Sequence, residues 1–295
     1  MIREVPLGRE GTTHETSSLI AFLASDAASY ITGTDVLVDG GFIGLEVAAI
    51  ARKLEMQVTV LEGLPRVLAR VTTEVVSDFF ERVHREAGVE LLTGATVDGF
   101  VGDDPVSAVR LADGRQIETD LVVIGIGLIP NTGLAEQAGL EIDNGIVVDQ
   151  FARTSDPAIV AAGDCTNHPS AFYDRRLRLE SVNNAMEQAR IAAATLMGEE
   201  KPYDSVPWFW SDQYDLKLQM VGLSDGHDDY RVRGKPEDRS FSVFYLKDGA
   251  VIAADAISRP KDFMAAKKLV ASRAEIDPDA LEDEGRNLLD LLPAD

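Results

Sequence analysis

The sequence predicts an α/β chain: a doubly wound sheet, then a separate α+β unit at the C-terminal end. Three observations carry this. A short apolar segment, a glycine turn, an apolar helix and a β-branched segment follow one another over residues 35–61. Apolar runs of the kind found in buried parallel strands recur at 121–127, 146–148 and 159–162. Beyond Pro202 and Pro207 the character changes to aromatic, alternating strands followed by charge-rich helical stretches. With 295 residues, 45% of them hydrophobic, the chain has material for two or three cores.

Taken in order, residues 15–24 place Leu19, Ile20, Phe22 and Leu23 at helical spacing, closed by Ser25, Asp26 and Gly33. A strand is expected at 35–38, a helix at 42–54 and a strand at 57–61. Val75, Val76, Phe79, Phe80 and Val83 recur on one face of a helix at 73–87, which Gly88 stops. Short strands crowd between 89 and 118, with a hairpin turn at Ala112-Asp113-Gly114-Arg115, as a meander inserted into the sheet. Residues 121–127 read as a fully buried strand entering a glycine loop. Val182, Ala185, Met186, Ala189, Ala193 and Leu196 fit a helix over 180–197 that Gly198 ends. In the last region, strands are expected at 241–246 and 251–254.

Composition narrows the classes. No apolar run approaches the roughly 20 residues of a membrane-spanning helix. The first residues, with Arg3 and Glu4, do not read as a secretion signal. A single cysteine, Cys165, excludes an internal disulfide, a Cys-x-x-Cys relay and a cysteine-rich metal site, and points to the cytoplasm. A net charge of −22 argues against nucleic acid and anionic membranes as partners. The densest basic stretch, Arg175-Arg176-Leu177-Arg178, is either a local anion patch or a set of solvated arginines paired with carboxylates; charge pattern does not separate the two.

Chemistry is written most plainly in VDGGFIGLE. In a G-x-G-x-x-G turn the first glycine permits the sharp exit from the strand, the second lets the backbone approach a pyrophosphate, and the third lets helix and strand pack closely. Phosphate then rests on the helix N-terminus. Here the six positions are Asp39-Gly40-Gly41-Phe42-Ile43-Gly44, so the second and third glycines are present and aspartate replaces the first. At about 5 Å and an effective dielectric of about 20, a carboxylate and a phosphate charge repel by roughly 3 kcal/mol, which weakens binding. Glu62, where the second strand ends, stands where an acidic residue holds an adenosine ribose and disfavours a 2′-phosphate, so NADH is expected over NADPH.

From Phe42 onward the chain resembles the flavin-dependent ferredoxin reductases that serve bacterial cytochrome P450 and dioxygenase systems. The segments are GGFIGLEVAAIARKL, VTVLEGLPRVLARV, VVIGIGLIPN, IVAAGDCTNH, RLESVNNAMEQAR and VPWFWSDQYDLKLQMVGL. The resemblance implies a Rossmann-like NAD domain at 35–133, part of an FAD domain at 134–206 and a reductase interface domain at 207–295. It implies NAD binding by Gly40, Gly41, Ile43, Gly44 and Glu62, and a loop bearing Gly127 near the nicotinamide. Asp164 would hydrogen-bond the flavin's ribityl–phosphate portion, and Val182 would present its backbone to the flavin ring at a helix N-terminus. Glu46 would face the hydride-transfer side and Trp210 the exit toward an iron–sulfur partner of the ferredoxin type; without the resemblance, ordinary core packing explains Trp208 and Trp210 equally well.

Residues 1–41 resemble instead the C-terminal tail of short-chain dehydrogenases/reductases, which commonly ends in VDGG, and carry no Tyr-x-x-x-Lys pair. On this reading the tail is 1–34, and residues 35–38 lend the NAD domain its first strand. The N-terminal portion of an FAD domain, of the order of 100 residues, is not recognisable. The expectation is therefore a reductase impaired in flavin binding or, alternatively, a chimeric fragment that binds NAD weakly without turnover.

Overall fold

The computed structural model describes residues 35–102, 105–273 and 275–293. The tail expected at 1–34, with its helix at 15–24, lies outside the described residues. The chain divides into two compact units, Met1–Gly127 with Ser211–Lys217, and Leu128–Trp210 with Leu218–Asp295.

The first unit runs β1 (Asp35–Asp39), α1 (Phe42–Lys53), β2 (Gln57–Glu62), α2 (Glu74–Glu86), β3 (Glu90–Thr93), β4 (Val97–Val101), β5 (Ala108–Leu111), β6 (Gln116–Glu118) and β7 (Leu121–Val122). A parallel sheet has the order β3-β2-β1-β7, in the register Val38↔Val60 and Val60↔Leu91. The helix α1 packs an alanine-rich face inward, with Leu45, Ala48, Ala49 and Ala51 buried, which allows close approach to the strands. Arg52 and Lys53 sit in its last turn, where cations complement the helix dipole. The amphipathic spacing of α2 buries Val76, Phe79, Phe80 and Val83 as expected. The expected meander is a separate antiparallel sheet, β4-β5-β6, whose Val109 and Leu111 share a core with Leu61 and Ala95.

Two expected strands fail. Residues 121–127 are not one buried strand: pairing stops after Leu121–Val122, and Ile124 and Ile126 are 44% and 65% exposed. Among the described residues β7 is the last strand of the sheet, paired on its β1 side. Among the described residues, 159–162 pair only through the isolated bridge Arg153↔Val160. Their backbone is consumed locally, the Thr154 hydroxyl bonding the carbonyls of Asp156 and Ile159 while Ala161 N–H reaches Ala152.

The second unit begins with α3 (Gly133–Gln137), β8 (Ile146–Val147), β9 (Thr166–Ser170), β10 (Arg175–Leu177) and α4 (Val182–Leu196), the strands forming a sheet β10-β9-β8. The chain continues as β11 (Trp208–Gln213), β12 (Leu216–Gly222), β13 (Asp229–Lys235), β14 (Ser240–Lys247), β15 (Ala250–Ile257), α5 (Pro260–Ser272) and α6 (Pro278–Glu282), of which Ser211–Lys217 are counted with the first unit. The five strands β11-β12-β15-β14-β13 form one sheet, on which Phe263, Ala266, Leu269 and Val270 of α5 pack against Phe244, Leu246, Val251 and Ala254. Residues 241–246, expected to alternate, are buried without interruption, because β14 lies inside the sheet and is covered on both faces. Arg233 of β13 is buried and donates to the carbonyls of Leu281, Asp283 and Arg286, pinning the C-terminal segment.

That sheet also buries a carboxyl group. Asp255 accepts a hydrogen bond from the Tyr245 hydroxyl, yet burial outweighs this and pushes its pKa up to about 7. Between the unfolded value of about 4 and this folded value the native state holds the extra proton, so the Asp255 contribution to stability is full below about pH 4 and declines as pH rises toward 7, by about 1.4 kcal/mol per pH unit. Asp255→Asn should therefore gain stability relative to the parent as pH rises across that window. Parallel Tm-versus-pH curves for the two proteins would contradict it.

Candidate functional site

β1 has β2 on one side and β7 on the other: the chain passes from β1 outward through β2 and β3, then returns by way of the meander to β7, so β1 stands where the strand order reverses, and in open parallel sheets ligands bind beyond the carboxyl end at such a point. The glycine turn lies there. Gly41 is the N-cap of α1, extended at φ −79° and ψ 177°, and its carbonyl accepts Leu45 N–H at 2.9 Å. Gly44 is buried in the first turn of α1, the place where a third glycine lets helix and sheet approach, and Ile43 is 46% exposed. The side chain of Asp39 lies outside the described residues.

Gly40 makes the closest approach of the turn. A Cβ there would sit 2.6 Å from Glu62 Oε2 and 2.8 Å from Glu62 Cβ. Glu62, at the end of β2, is held by Leu64 N–H at 2.8 Å, and Gly40 C=O accepts Leu68 N–H at 3.1 Å. Glycine turn, helix N-terminus and acidic strand end thus form one cluster. Glu46, on α1, is half-buried; its carboxylate accepts the Ser211 hydroxyl at 2.6 Å and the Asp212 N–H, and burial raises its pKa against these bonds. Gly127 stands apart on an exposed loop at φ 122°, followed by the exposed Leu128 and Ile129.

In the second unit, Asp164 and Val182 meet through Ser181. The Asp164 carboxylate accepts Ser181 N–H; desolvation and the neighbouring Glu180 raise its pKa, opposed by Arg178. Ser181 caps α4 by accepting Asn184 N–H at 3.2 Å, which leaves Val182, the first helical residue, 55% exposed. Behind them runs a buried polar network that sequence reasoning missed. Gln188 Oε1 accepts Gly163 N–H at 2.7 Å and the Thr166 hydroxyl at 2.6 Å, while its Nε2 lies 2.8 Å from His168 Nδ1. The Tyr203 hydroxyl donates to Asn184 Oδ1, and Asn184 Nδ2 to Leu179 C=O. Burial, and then Arg176, hold the His168 pKa down at about 4, so the ring is neutral.

This network turns α4 inside out. Asn184, Gln188 and Ala192 face inward at a spacing of four, whereas Val182, Met186 and Leu196 are exposed. That spacing of Asn and Gln was the available signal. The arginine stretch resolves into pairs: Arg175 with Asp225 at 3.0 Å, Arg178 with Glu180 at 2.5 Å, and Arg176 donating to Val148 and Asn167 carbonyls. Trp208 belongs to the C-terminal core, edge-on to Phe263 with Lys267 Nζ 4.6 Å above its ring; Trp210, 5.6 Å from Trp208, is 38% exposed.

Residues 8–189 match the profile of the pyridine nucleotide-disulphide oxidoreductases, and 208–292 that of the reductase C-terminal domain. The chain belongs to this oxidoreductase family, in its ferredoxin reductase branch. It is 49% identical over 262 residues to putidaredoxin reductase CamA of Pseudomonas putida, covering 88% of this chain and 62% of that protein. It superposes with a TM-score of 0.87 and 46% identity on a chain of the covalent putidaredoxin reductase–putidaredoxin complex, covering 95% of this chain and 67% of the other. A ferredoxin reductase from Rhodopseudomonas palustris gives 0.88 and 40%, with 96% and 69% covered. The chain thus spans about three fifths of the length of the curated relative. The family match begins at residue 8 and so includes most of the segment resembling the short-chain dehydrogenase tail. Within this family the expected fold class holds: a doubly wound α/β sheet, part of a second α/β domain, and an α+β C-terminal domain. Among the described residues no helix is long and apolar enough to cross a membrane.

The Gly40 contact makes a sharp prediction. Gly40→Ala should destabilise the protein by about 1–3 kcal/mol, the usual cost of overpacking. A second change, Glu62→Ser, should recover part of that loss, which a double-mutant cycle measured by denaturant unfolding would detect. Strict additivity would contradict the contact.

Proposed function

We propose that the chain is an NADH-dependent flavoprotein oxidoreductase of the ferredoxin reductase type, carrying electrons from NADH by way of FAD to a ferredoxin-type iron–sulfur protein. The observation that carries the reading is the cluster of Gly40, Gly41, the α1 N-terminus and Glu62 at the switch point of the parallel sheet. That donor set fits a dinucleotide: the helix end favours the pyrophosphate, Gly41, Ile43 and Gly44 shape its seat, and the Glu62 carboxylate favours ribose hydroxyls over a 2′-phosphate. Gly127 would line the nicotinamide side, and Glu46 would face the reacting carbon.

FAD fits the second unit on the wall that is described. Asp164, held at its carboxylate by Ser181 N–H, would bind the ribityl–phosphate portion, and the capped N-terminus of α4 at Val182 would favour negative charge on the ring. Bound flavin supplies the acceptance of a hydride and its release as single electrons. The exposed Trp210 is assigned to the face that meets the iron–sulfur partner. Residues 35–133, 134–206 and 207–295 would be the NAD, FAD and interface parts. The single Cys165 supports a cytoplasmic setting without a disulfide relay.

A second reading, a chimeric chain that binds NAD without turnover, has its own support. Residues 1–41 resemble a short-chain dehydrogenase tail, and α4 presents Val182, Met186 and Leu196 as an exposed apolar face. The purified protein separates the two. Absorbance near about 450 nm that NADH bleaches, with transfer to a ferredoxin, supports the reductase; a colourless protein that no added FAD reconstitutes removes it. Asp39→Gly should raise NADH affinity roughly tenfold after solvent screening of the repulsion, and an unchanged dissociation constant would refute that repulsion. Glu62→Gln should narrow the preference for NADH over NADPH, read as the ratio of the two dissociation constants.

A further inference from the structure

Glu46 does not end its hydrogen bonds at Ser211. The Ser211 hydroxyl, itself buried, lies 3.2 Å from Gln213 Nε2; Gln213 Oε1 lies 2.9 Å from His84 Nε2; and His84 Nδ1 lies 3.0 Å from the Tyr214 hydroxyl. Ser211, Gln213 and His84 are each 1% exposed or less, and all these residues belong to the first unit.

We propose that Tyr214, His84, Gln213 and Ser211 form a one-way hydrogen-bond relay that orients the Glu46 carboxylate and stabilises its charge, making His84 a positioning residue for the chemistry at Glu46. The direction follows from donor and acceptor chemistry alone. An ionised carboxylate only accepts, so the single Ser211 proton goes to Glu46, and Ser211 Oγ accepts in turn from the Gln213 amide. That sets the amide oxygen toward His84, which must donate from Nε2. A neutral imidazole then has only an acceptor left at Nδ1, which takes the Tyr214 proton. Burial lowers the His84 pKa, in keeping with the neutral ring. Each proton points toward Glu46, and bonds aligned in this way polarise one another.

Other charges face the relay. The Asp212 carboxylate, unlike its N–H, acts on Glu46 in the opposite sense and pairs with Lys217 at 3.5 Å; Arg52 faces Tyr214, and Lys53 Nζ donates to the Tyr214 carbonyl at 2.9 Å. Their influence does not pass through Gln213, so the substitutions below separate them from the relay. The role of Glu46 in the reaction rests on the function proposed above, whereas the relay itself is testable without nucleotide.

The Glu46 carboxyl can be titrated by carbon-13 NMR on protein labelled at glutamate, with Glu46→Gln assigning the signal. Ser211→Ala should raise its midpoint by about one pH unit, and Ser211→Thr should restore it. Gln213→Met should raise it by roughly half as much, and Tyr214→Phe, which deletes only the far hydroxyl, by a few tenths at about constant fold. A midpoint that responds to Ser211→Ala but to neither Gln213→Met nor Tyr214→Phe overturns the relay and leaves a packing role. Should Gln213→Met fail to fold, Tyr214→Phe alone decides. In the same variants NADH oxidation should slow in step with the shift, kcat more than KM. If the midpoints move while Glu46→Gln leaves NADH binding and oxidation unchanged, the relay stands and the assignment of Glu46 to the reaction falls.

Discussion

The first unit depends on β1 being paired on both of its edges. β2 binds along its full length, Asp35↔Gln57 to Asp39↔Leu61, and β7 binds its middle at Val36 and Leu37. β1 is thereby the strand at which the sheet order reverses, and in open parallel sheets a ligand binds beyond the carboxyl end of the strand at such a point. Gly40 and Gly41 follow it. β7 pairs with only Val36 and Leu37 of β1, and beyond the buried Val123 the apolar Ile124, Ile126, Leu128 and Ile129 run out onto the surface.

A similar device recurs at both candidate sites. Each has a buried, neutral histidine joined to a glutamine amide beside a tyrosine: His84 with Gln213 and Tyr214, His168 with Gln188 and Tyr203. A buried amide costs several kcal/mol if left unsatisfied and little if every group is paired, so such a trio tolerates few geometries. In the second unit it ties the 163–168 turn to α4, which fixes Asp164 against Ser181. In the first it ties 211–214 to α2 and, through Ser211, reaches Glu46. Both sites therefore take their rigidity from neutral polar pairing rather than from ion pairs.

The exposed face of α4 follows from that choice. With Asn184 and Gln188 turned inward to satisfy Gly163, Thr166 and Leu179, the positions two residues before each, Val182 and Met186, have nowhere to go but outward. An apolar face left outside in this way is a surface that a cofactor or another segment of protein can cover. The helix N-terminus and this face share the residue Val182.

The sequence by itself determined what local chemistry dictates. The β1–α1–β2 unit, α2, the meander and the C-terminal sheet were legible because spacing, glycine and proline act over a few residues, and Gly41, Gly44, Glu62 and Asp164 stood out as candidates because they belong to quoted motifs. Tertiary structure alone decided how Gly40 meets Glu62, which way α4 faces, where β7 stops, and that Ser211, Gln213 and His84 join Glu46. Those outcomes depend on which donors find which acceptors across 129 residues of chain, as between His84 and Gln213. No periodicity within one element carries that information, because a buried polar side chain takes its position from its partner rather than from its neighbours in sequence.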